Sequence, residues 1–177
     1  MAAAESSFKI ILGSSSMARQ RILAEMRYEF TIMAIAIMAR LQHTDILKNV
    51  ACPTLLITAD TVVVYKGTIR EKPCNEDEAR EFIKGYSGGH AAVVGSVLVT
   101  NLNSGASKGG WESAEVYFHD IPNEVIDSLI DEGIPFKVAG GLMLEHPLTL
   151  PFVDAVVSFA FFRCFIALSF DILGDIT

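Results

Sequence analysis

The sequence predicts an α/β fold with a mixed sheet, and three patterns carry that prediction. Residues 8–12 are a short apolar run typical of a buried strand, and a polar turn and a helix over residues 18–26 follow it. Two apolar, β-branched segments, residues 54–58 and 62–65, precede a turn at Lys66 and Gly67. Apolar residues at helical spacing then predict two amphipathic helices. Strands that alternate with helices are typical of α/β domains.

The polar turn after the first strand has the sequence GSSS, at residues 13–16. A helix start presents free backbone N–H groups and the positive end of its dipole, and Ser14, Ser16 and Arg19 can add donors to phosphate oxygens. The turn is not a Walker loop, because GxxxxGK[ST] is absent. A serine turn is also an ordinary helix cap, so this segment by itself leaves both interpretations open.

Asp60 follows an apolar strand in TADTVV, where burying a carboxylate is costly unless a metal, a cation or several hydrogen bonds satisfy it. We therefore predict that it holds Mg²⁺ or acts as base for an attacking water, while Lys72 neutralises charge on phosphates. A hairpin centred on Lys66 and Gly67 would bring Asp60 and Lys72 to the same end. Its register pairs Val64 with Ile69, Val62 with Glu71 and Thr61 with Lys72. A structural ion pair is the alternative role of Asp60.

Capping patterns locate the two amphipathic helices. Asn75, with Glu78 three residues later, predicts the start of the first helix, which ends near residues 87–89. Its core-facing positions are Ala79, Phe82, Ile83 and Tyr86. Asp120 is predicted to cap the second helix, which begins near Pro122. Its core-facing positions are Val125, Ile126, Leu129 and Ile130.

Further segments complete the alternation of strands and helices. Strands are predicted at residues 93–100 and 115–119, around a turn rich in Gly, Ser and Asn at residues 101–110. The glycines of residues 138–141 predict a close approach of the backbone to another element or a ligand.

Composition narrows the classes of function. The net charge of −7, with 14 Lys and Arg spread along the chain, gives no basic surface for a nucleic acid polymer. The three cysteines show no CxxC spacing and the four histidines no HExxH, so neither a disulfide framework nor a zinc site is indicated, and a reducing cytoplasm fits best. No GxSxG sequence supports acyl transfer. Hydrolysis of a phosphoanhydride by a metal-bound water is the better fit.

Neither of two apolar runs is predicted to cross a membrane. Residues 30–39 are too few to span a bilayer, and residues 155–170 carry Arg163 in their middle and fall short of the roughly 20 residues that a spanning helix needs. A buried or aggregation-prone terminus is the preferred interpretation of the second run. The N-terminus has an acidic residue where a signal peptide carries basic ones, so secretion is not expected.

Several of these segments together resemble the Maf family of nucleoside triphosphate pyrophosphatases. ILGSSSMARQRIL is similar to the family's SxSxxRxxLL motif and TADTVVVYKGTIREKP to its TADTVV…G…EKP core, while EAREFIKGYSGGHAAVVGSV and FKVAGG extend the match. The resemblance implies one Maf-like domain over residues 1–177, with an elongated mixed-sheet fold shared with inosine triphosphatases and two lobes around a central nucleotide-binding cleft. It further implies a cytoplasmic, Mg²⁺-dependent enzyme that converts nucleoside triphosphates such as dTTP, UTP or modified nucleotides to monophosphate and pyrophosphate. A homodimer is compatible with it.

The resemblance also implies roles for seven residues. Asp60 matches the catalytic acidic residue and metal ligand, Lys72 the lysine of EKP, Ser14, Ser16 and Arg19 the phosphate-contacting opening, and Thr61 a position tied to substrate choice. Glu145 falls where many members have Gln, so an amide is replaced there by a carboxylate that only accepts hydrogen bonds when ionised.

Two segments depart from the family pattern. After FTIMA the family usually has an acidic DE segment and a long helix with a lysine, whereas this sequence runs from MAIAIMARLQ directly to PTLLITADT. After PFVDAVV a Gly-rich turn and a GLP segment are replaced, which makes residues 155–177 an atypical tail. The resemblance suggests a plant-type eukaryotic member, and either alternative splicing or a gene-model error would produce the two altered segments. The alternative function is therefore a catalytically impaired nucleotide-binding or regulatory protein of the same fold.

Overall fold

The computed structural model describes residues 8–25, 27–33 and 53–157. Within these ranges the chain forms seven strands and three α-helices. The strands are β1 (Lys9–Leu12), β2 (Phe30–Ile32), β3 (Thr54–Tyr65), β4 (Thr68–Arg70), β5 (His90–Asn101), β6 (Ser107–Phe118) and β7 (Val153–Val157). The α-helices are α1 (Met17–Glu25), α2 (Glu76–Tyr86) and α3 (Asn123–Asp131). Short 3₁₀ turns lie at Pro135–Lys137, Ala139–Gly141 and Leu150–Phe152.

The strands form one mixed sheet, which confirms the predicted α/β class. Its order is β2-β1-β3-β5-β6-β7, and β4 pairs with β3 outside this path. β1 runs parallel to both of its neighbours, β2 and β3, as the α-helical connection after β1 allows. The β3–β4 and β6–β7 pairs are antiparallel. In the described ranges, no helix is long and apolar enough to cross a membrane.

The chain divides into two compact units. Unit 1 comprises Met1–Asp60, Ser96–Gly110 and Arg163–Thr177, and unit 2 comprises Thr61–Gly95 and Trp111–Phe162. The two segments predicted to depart from the family pattern lie mostly outside the described residues, which exclude residues 34–52 and 158–177.

Unit 1 has a core of aliphatic side chains from β1, β3, β5 and α1. The buried members are Ile10, Leu12, Leu23, Leu55, Ile57, Val97 and Val99. Strands whose two faces are both covered read as continuous apolar runs, which explains why residues 54–57 show no alternation. Of the apolar run at residues 30–39, only Phe30–Ile32 is a described strand, and residues 34–39 lie outside the described ranges.

Unit 2 has a larger core between its strands and the two amphipathic helices. Both helices bury the apolar positions predicted for them, except that Val125 is only half-buried. Asn75 caps α2 by accepting the Glu78 N–H at 2.9 Å. The Glu78 carboxylate in turn accepts the N–H of Cys74 at 2.6 Å, one residue earlier than in a standard capping box.

The two strand segments predicted at residues 54–58 and 62–65 are one continuous strand. β3 passes through Asp60 without interruption, because the Asp60 side chain is exposed at the point where the core of unit 1 ends. Asp60 therefore does not mark a break in the strand. Because it is exposed, its carboxylate does not need a buried partner.

The hairpin turn is as predicted. Lys66 and Gly67 have φ of +48° and +78°, so both central residues adopt the positive φ that a type I′ turn requires. Val64 pairs with Ile69, which confirms the register.

The hairpin ladder is shorter than predicted. It ends at Val63–Arg70, so the predicted Val62–Glu71 and Thr61–Lys72 pairs are wrong. The carbonyl of Glu71 instead accepts the N–H of Gly140 at 2.8 Å, and Pro73 offers no N–H to continue a ladder.

Two local predictions were overridden by long-range contacts. The turn predicted at residues 101–110 is confined to residues 102–106, because β6 begins at Ser107. An added Cβ on Gly109 would lie 2.7 Å from the Val97 carbonyl oxygen, so this glycine allows close contact between strands and does not form a turn.

Asp120 does not cap α3 as predicted. The N-cap residue is Pro122, which makes no side-chain hydrogen bond there. The Ile121 N–H is bound instead by the hydroxyl of Ser87, at 2.8 Å.

Candidate functional site

The phosphate-binding candidates of unit 1 form a compact donor cluster at the start of α1. Ser14 is buried, with 9% of its surface exposed, and its Oγ accepts the backbone N–H of Ser16 at 3.2 Å. The same Oγ accepts a hydrogen bond from Arg19 Nη1 at 3.0 Å. Because α1 begins at Met17, the Arg19 guanidinium extends from the first turn of the helix to the loop that precedes it. The structure therefore brings Ser14, Ser16 and Arg19 together, as the local spacing predicts.

Asp60 supplies the negative partner of this cluster. Partial burial lowers the pKa of the Arg19 guanidinium, and the Asp60 carboxylate opposes this by stabilising the charged form. Arginine stays protonated in either environment, so Arg19 is a permanent cation that interacts electrostatically with Asp60. Asp60 is exposed to solvent at the end of its parallel-strand segment. Carboxyl ends of parallel strands are common positions for ligand-binding residues in α/β proteins.

Lys72 is exposed in unit 2, immediately after the end of β4. Its flanking residues are anchored: Arg70, two positions before it, and Pro73, directly after it, are both buried. The Arg70 guanidinium lies 4.4 Å from the ring centroids of Tyr65 and Phe82. The guanidinium also pairs with the exposed Glu81 carboxylate, with 3.6 Å between Arg70 Nη2 and Glu81 Oε1. The aromatic rings and this carboxylate together stabilise the buried arginine. Lys72 thus projects into solvent from a short segment that is held on both sides.

The glycines predicted to allow a close approach do so at Gly140. Its φ is +70°, and an added Cβ would lie 2.4 Å from Cγ2 of Val63. Gly140 donates its N–H to the carbonyl of Glu71, the residue before Lys72. Its carbonyl accepts the hydroxyl of Tyr86 at 3.0 Å. The backbone approach is therefore to another element of the protein and includes the segment that carries Lys72.

The two residues predicted to contribute to substrate choice, Thr61 and Glu145, are also in unit 2. Thr61 is half-buried on β3, and Glu145 is exposed in the loop after the Ala139–Gly141 turn. Glu145 is therefore accessible to a ligand.

The donor chemistry of Asp60 fits a magnesium ion that arrives with a nucleotide. No group of three or more His, Cys, Asp or Glu side chains able to hold a metal occurs in the described ranges. Mg²⁺ commonly binds through one or two carboxylates, several waters and substrate phosphates rather than in an all-protein cage. The solvent-exposed carboxylate of Asp60, which interacts electrostatically with Arg19, meets that requirement.

A separate cavity of about 590 Å³ lies in unit 2. It is lined by the β3–β4 turn, the end of α2 and the start of β5, including Tyr65, Lys66 and His90. None of the seven predicted site residues lines it. The candidate site is therefore identified from the chemistry of its side chains and not from this cavity.

Sequence reasoning missed Arg70 and Tyr86. Tyr86 was predicted only as an apolar position of α2, yet its hydroxyl is buried and bonded to Gly140. Burial raises the pKa of this hydroxyl, and a hydrogen bond from Arg70 opposes that rise. A tyrosine on the buried face of a helix needs a partner for its hydroxyl, and this was the available signal. The sequence could not identify the partner.

Comparison with known proteins supports the resemblance of the motifs. A family model described as Maf-like protein matches residues 9–160. A 7-methyl-GTP pyrophosphatase of Dictyostelium discoideum is 32% identical over 162 residues, which cover 77% of this chain and 81% of that protein. A dTTP/UTP pyrophosphatase of Alkaliphilus metalliredigens is 27% identical over 165 residues, with 84% and 85% covered. A nucleoside triphosphate pyrophosphatase of Chlamydia muridarum is 29% identical over 155 residues, with 77% and 78% covered.

The matched range contains all seven candidate site residues and every described strand and helix. The mixed α/β sheet is consistent with that assignment. Since the family model covers well over half of the sequence, the chain belongs to the Maf-like protein family.

Proposed function

We propose that this chain is a Mg²⁺-dependent nucleoside triphosphate pyrophosphatase that acts on nucleotides such as dTTP, UTP or modified nucleotides. The observation that carries the proposal is the cluster of Ser14, Arg19 and Asp60 in unit 1. It combines phosphate donors, a permanent cation and an exposed carboxylate within one unit. The pyrophosphatase names of the relatives agree with this chemistry.

In the proposed reaction, a water oxygen bonds to the α-phosphorus and the bond from that phosphorus to the α–β bridging oxygen breaks. Pyrophosphate leaves, and the monophosphate gains the water oxygen. Asp60 takes the proton of the attacking water or orients it, while Arg19 and the N–H groups at the start of α1 hold phosphate oxygens. Lys72 neutralises charge that develops on the leaving pyrophosphate. A magnesium ion held by Asp60 and the phosphates would supply Lewis-acid polarisation of the phosphate oxygens.

The central test is pyrophosphate release from a panel of triphosphates with Mg²⁺, by the wild-type protein and by Asp60→Asn. Asparagine keeps the shape of aspartate but cannot take a proton and is a weaker metal ligand. We expect kcat/KM to fall by about 10²–10³, the usual effect of removing one principal catalytic group. The matched control is Glu25→Gln, which neutralises another exposed carboxylate of unit 1 and should leave the rate within twofold.

The outcomes separate the candidate functions. Equal rates in the wild type and Asp60→Asn would refute the role of Asp60. Nucleotide binding without pyrophosphate release in the wild type would support the alternative, a catalytically impaired binding or regulatory protein. Titration of Mg²⁺ distinguishes the two roles of Asp60. A raised Mg²⁺ requirement in Asp60→Asn indicates a ligand, and an unchanged requirement with a lower maximal rate indicates a base.

Glu145 suggests a way to identify the preferred base. An ionised carboxylate only accepts hydrogen bonds, so it is suited to a guanine edge, which presents adjacent N–H donors. Thymine and uracil present an N–H between two carbonyl oxygens and are better served by an amide. We therefore expect 7-methyl-GTP to be preferred over dTTP and UTP, and Glu145→Gln to reduce that preference about tenfold. A preference that Glu145→Gln leaves unchanged would exclude this residue from base recognition.

A further inference from the structure

Glu71 and Lys72, the two residues that follow β4, are not paired with a strand. The β3–β4 ladder ends at Val63–Arg70, so Glu71 and Lys72 make no further pairs with β3. A lysine on an unsupported exposed segment would sample many positions and would be a poor charge stabiliser, since such groups act best when they are already in place. The structure provides other contacts here.

Gly140 replaces the missing ladder. Its N–H donates to the Glu71 carbonyl at 2.8 Å, and its own carbonyl accepts the Tyr86 hydroxyl at 3.0 Å. Both main-chain groups of one residue are therefore used to connect the Lys72 segment to the last turn of α2. Gly140 cannot move towards β3, because the space for a Cβ is already filled by Val63.

Arg70 makes a second set of contacts between this part of the chain and α2. Its guanidinium donates to the Phe82 carbonyl at 3.1 Å. It also lies 4.4 Å from the ring centroids of Tyr65 and Phe82 and 5.2 Å from that of Tyr86. Gly85 leaves room for this arrangement, since an added Cβ would lie 3.0 Å from Arg70 Nη1. A glycine in the last turn of a helix costs helix stability, so its presence is consistent with a packing role.

We propose that Tyr86 is a positioning residue for Lys72, acting through Gly140 and Glu71 and oriented by Arg70. The inference rests on the proposed function, in which Lys72 neutralises charge on the leaving pyrophosphate. Tyr86 itself does not contact the substrate. Only 1% of the residue is exposed, and its hydroxyl donates a hydrogen bond to the Gly140 carbonyl. Its contribution is to limit the positions open to Lys72 in the transition state.

The test is the steady-state kinetics of Tyr86→Phe in the full chain, which keeps the ring and removes only the hydroxyl. We expect kcat to fall about tenfold with KM within twofold, because the lost interaction acts on charge that develops during reaction. Tyr65→Phe is the matched control, since it removes a hydroxyl from the same aromatic cluster but leaves the Gly140 bond intact. It should change kcat and KM by less than twofold.

A double-mutant cycle separates positioning from general structural support. If Tyr86 acts through Lys72, then Tyr86→Phe should change the rate of a Lys72→Gln protein by less than twofold. A full tenfold loss in that background, or wild-type kcat in Tyr86→Phe, would overturn the proposal. Arg70→Lys, which keeps the charge but loses the planar stacking, should show the same division between kcat and KM if Tyr86→Phe does not fold.

Amide hydrogen exchange gives a readout that does not depend on activity. In Tyr86→Phe the exchange rate of the Gly140 N–H should rise about tenfold, while that of the buried β3 amides in unit 1 stays unchanged. An unchanged Gly140 rate would overturn the proposal. If the wild-type protein releases no pyrophosphate, the proposed function fails, and the Gly140 exchange rate still decides whether Tyr86 holds this segment.

Discussion

The candidate groups of unit 1 and unit 2 are held in place by different kinds of contact. In unit 1, the bonds among Ser14, Ser16 and Arg19 join residues at most five positions apart. In unit 2, the segment of Lys72 is held by Gly140 and by Tyr86, which are 54 positions apart from each other. A short-range cluster forms whenever the strand–loop–helix unit folds. A long-range connection forms only when the core of unit 2 is complete, and it is therefore sensitive to substitutions far from Lys72.

The largest expected effect is on the stability of unit 2. Gly140→Ala should lower the free energy of unfolding by about 3 kcal/mol, since alanine is disfavoured at positive φ and its Cβ would overlap Val63. Gly67→Ala is the matched control, because its φ is also positive but no atom lies within 4 Å of the added Cβ. It should cost only about 1 kcal/mol. Urea unfolding measures both, and equal losses would show that the contact with Val63 is unimportant.

The next effect concerns the local cluster of unit 1. Arg19→Ala should lower kcat/KM about a hundredfold, or about 2.7 kcal/mol, because a permanent cation at the phosphates is lost. Arg21→Ala, which removes an exposed arginine of the same helix, should change kcat/KM less than twofold. Steady-state kinetics with the best substrate of the panel measures both. Similar losses in the two variants would attribute the effect to overall charge rather than to the cluster.

A smaller effect distinguishes the two helix starts of unit 2. Asn75→Ala should lower the free energy of unfolding by about 1 kcal/mol, because the Glu78 N–H loses its acceptor. Asp120→Ala should change it by less than about 0.5 kcal/mol, because Asp120 does not cap α3. Urea unfolding at neutral pH is the measurement. A larger loss for Asp120→Ala would restore it as a cap.

The smallest expected effect is a pH dependence carried by Tyr86. Burial raises the pKa of its hydroxyl above the ordinary value, so the folded state retains the proton more strongly than the unfolded state. This contribution is complete below the unfolded pKa of about 10 and is lost as the pH rises through the folded pKa. The stability advantage of the wild type over Tyr86→Phe should therefore shrink, by less than about 1 kcal/mol, between pH 9 and pH 11. A constant difference across that range would contradict the assignment.

Features that depend on neighbouring residues could be predicted. The Asn75 cap, the buried face of α2 and the hairpin turn at Lys66 and Gly67 are all confirmed, because each depends on contacts within a few residues. The donor cluster at Ser14 and Arg19 belongs to the same category.

Predictions failed where distant residues compete for the same group. The carbonyl of Glu71 accepts the N–H of Gly140 instead of pairing with β3. Near the start of α3, the Ile121 N–H donates to the Ser87 hydroxyl, and Asp120 does not act as the predicted cap. β6 likewise begins at Ser107 and includes Gly109 and Gly110, which were predicted to belong to a turn. A sequence does not show which of several acceptors lies nearest after folding.

The sequence by itself determined the α/β class, the helix faces and the residues able to carry the chemistry, because periodicity, capping and side-chain type are local properties. Only the tertiary structure decided that Lys72 projects from a segment held through Gly140 and Tyr86, and that the Asp60 carboxylate acts on the pKa of Arg19. These contacts depend on strand order and on the shape of the assembled cores. Both are set by the packing of the whole chain rather than by any one segment.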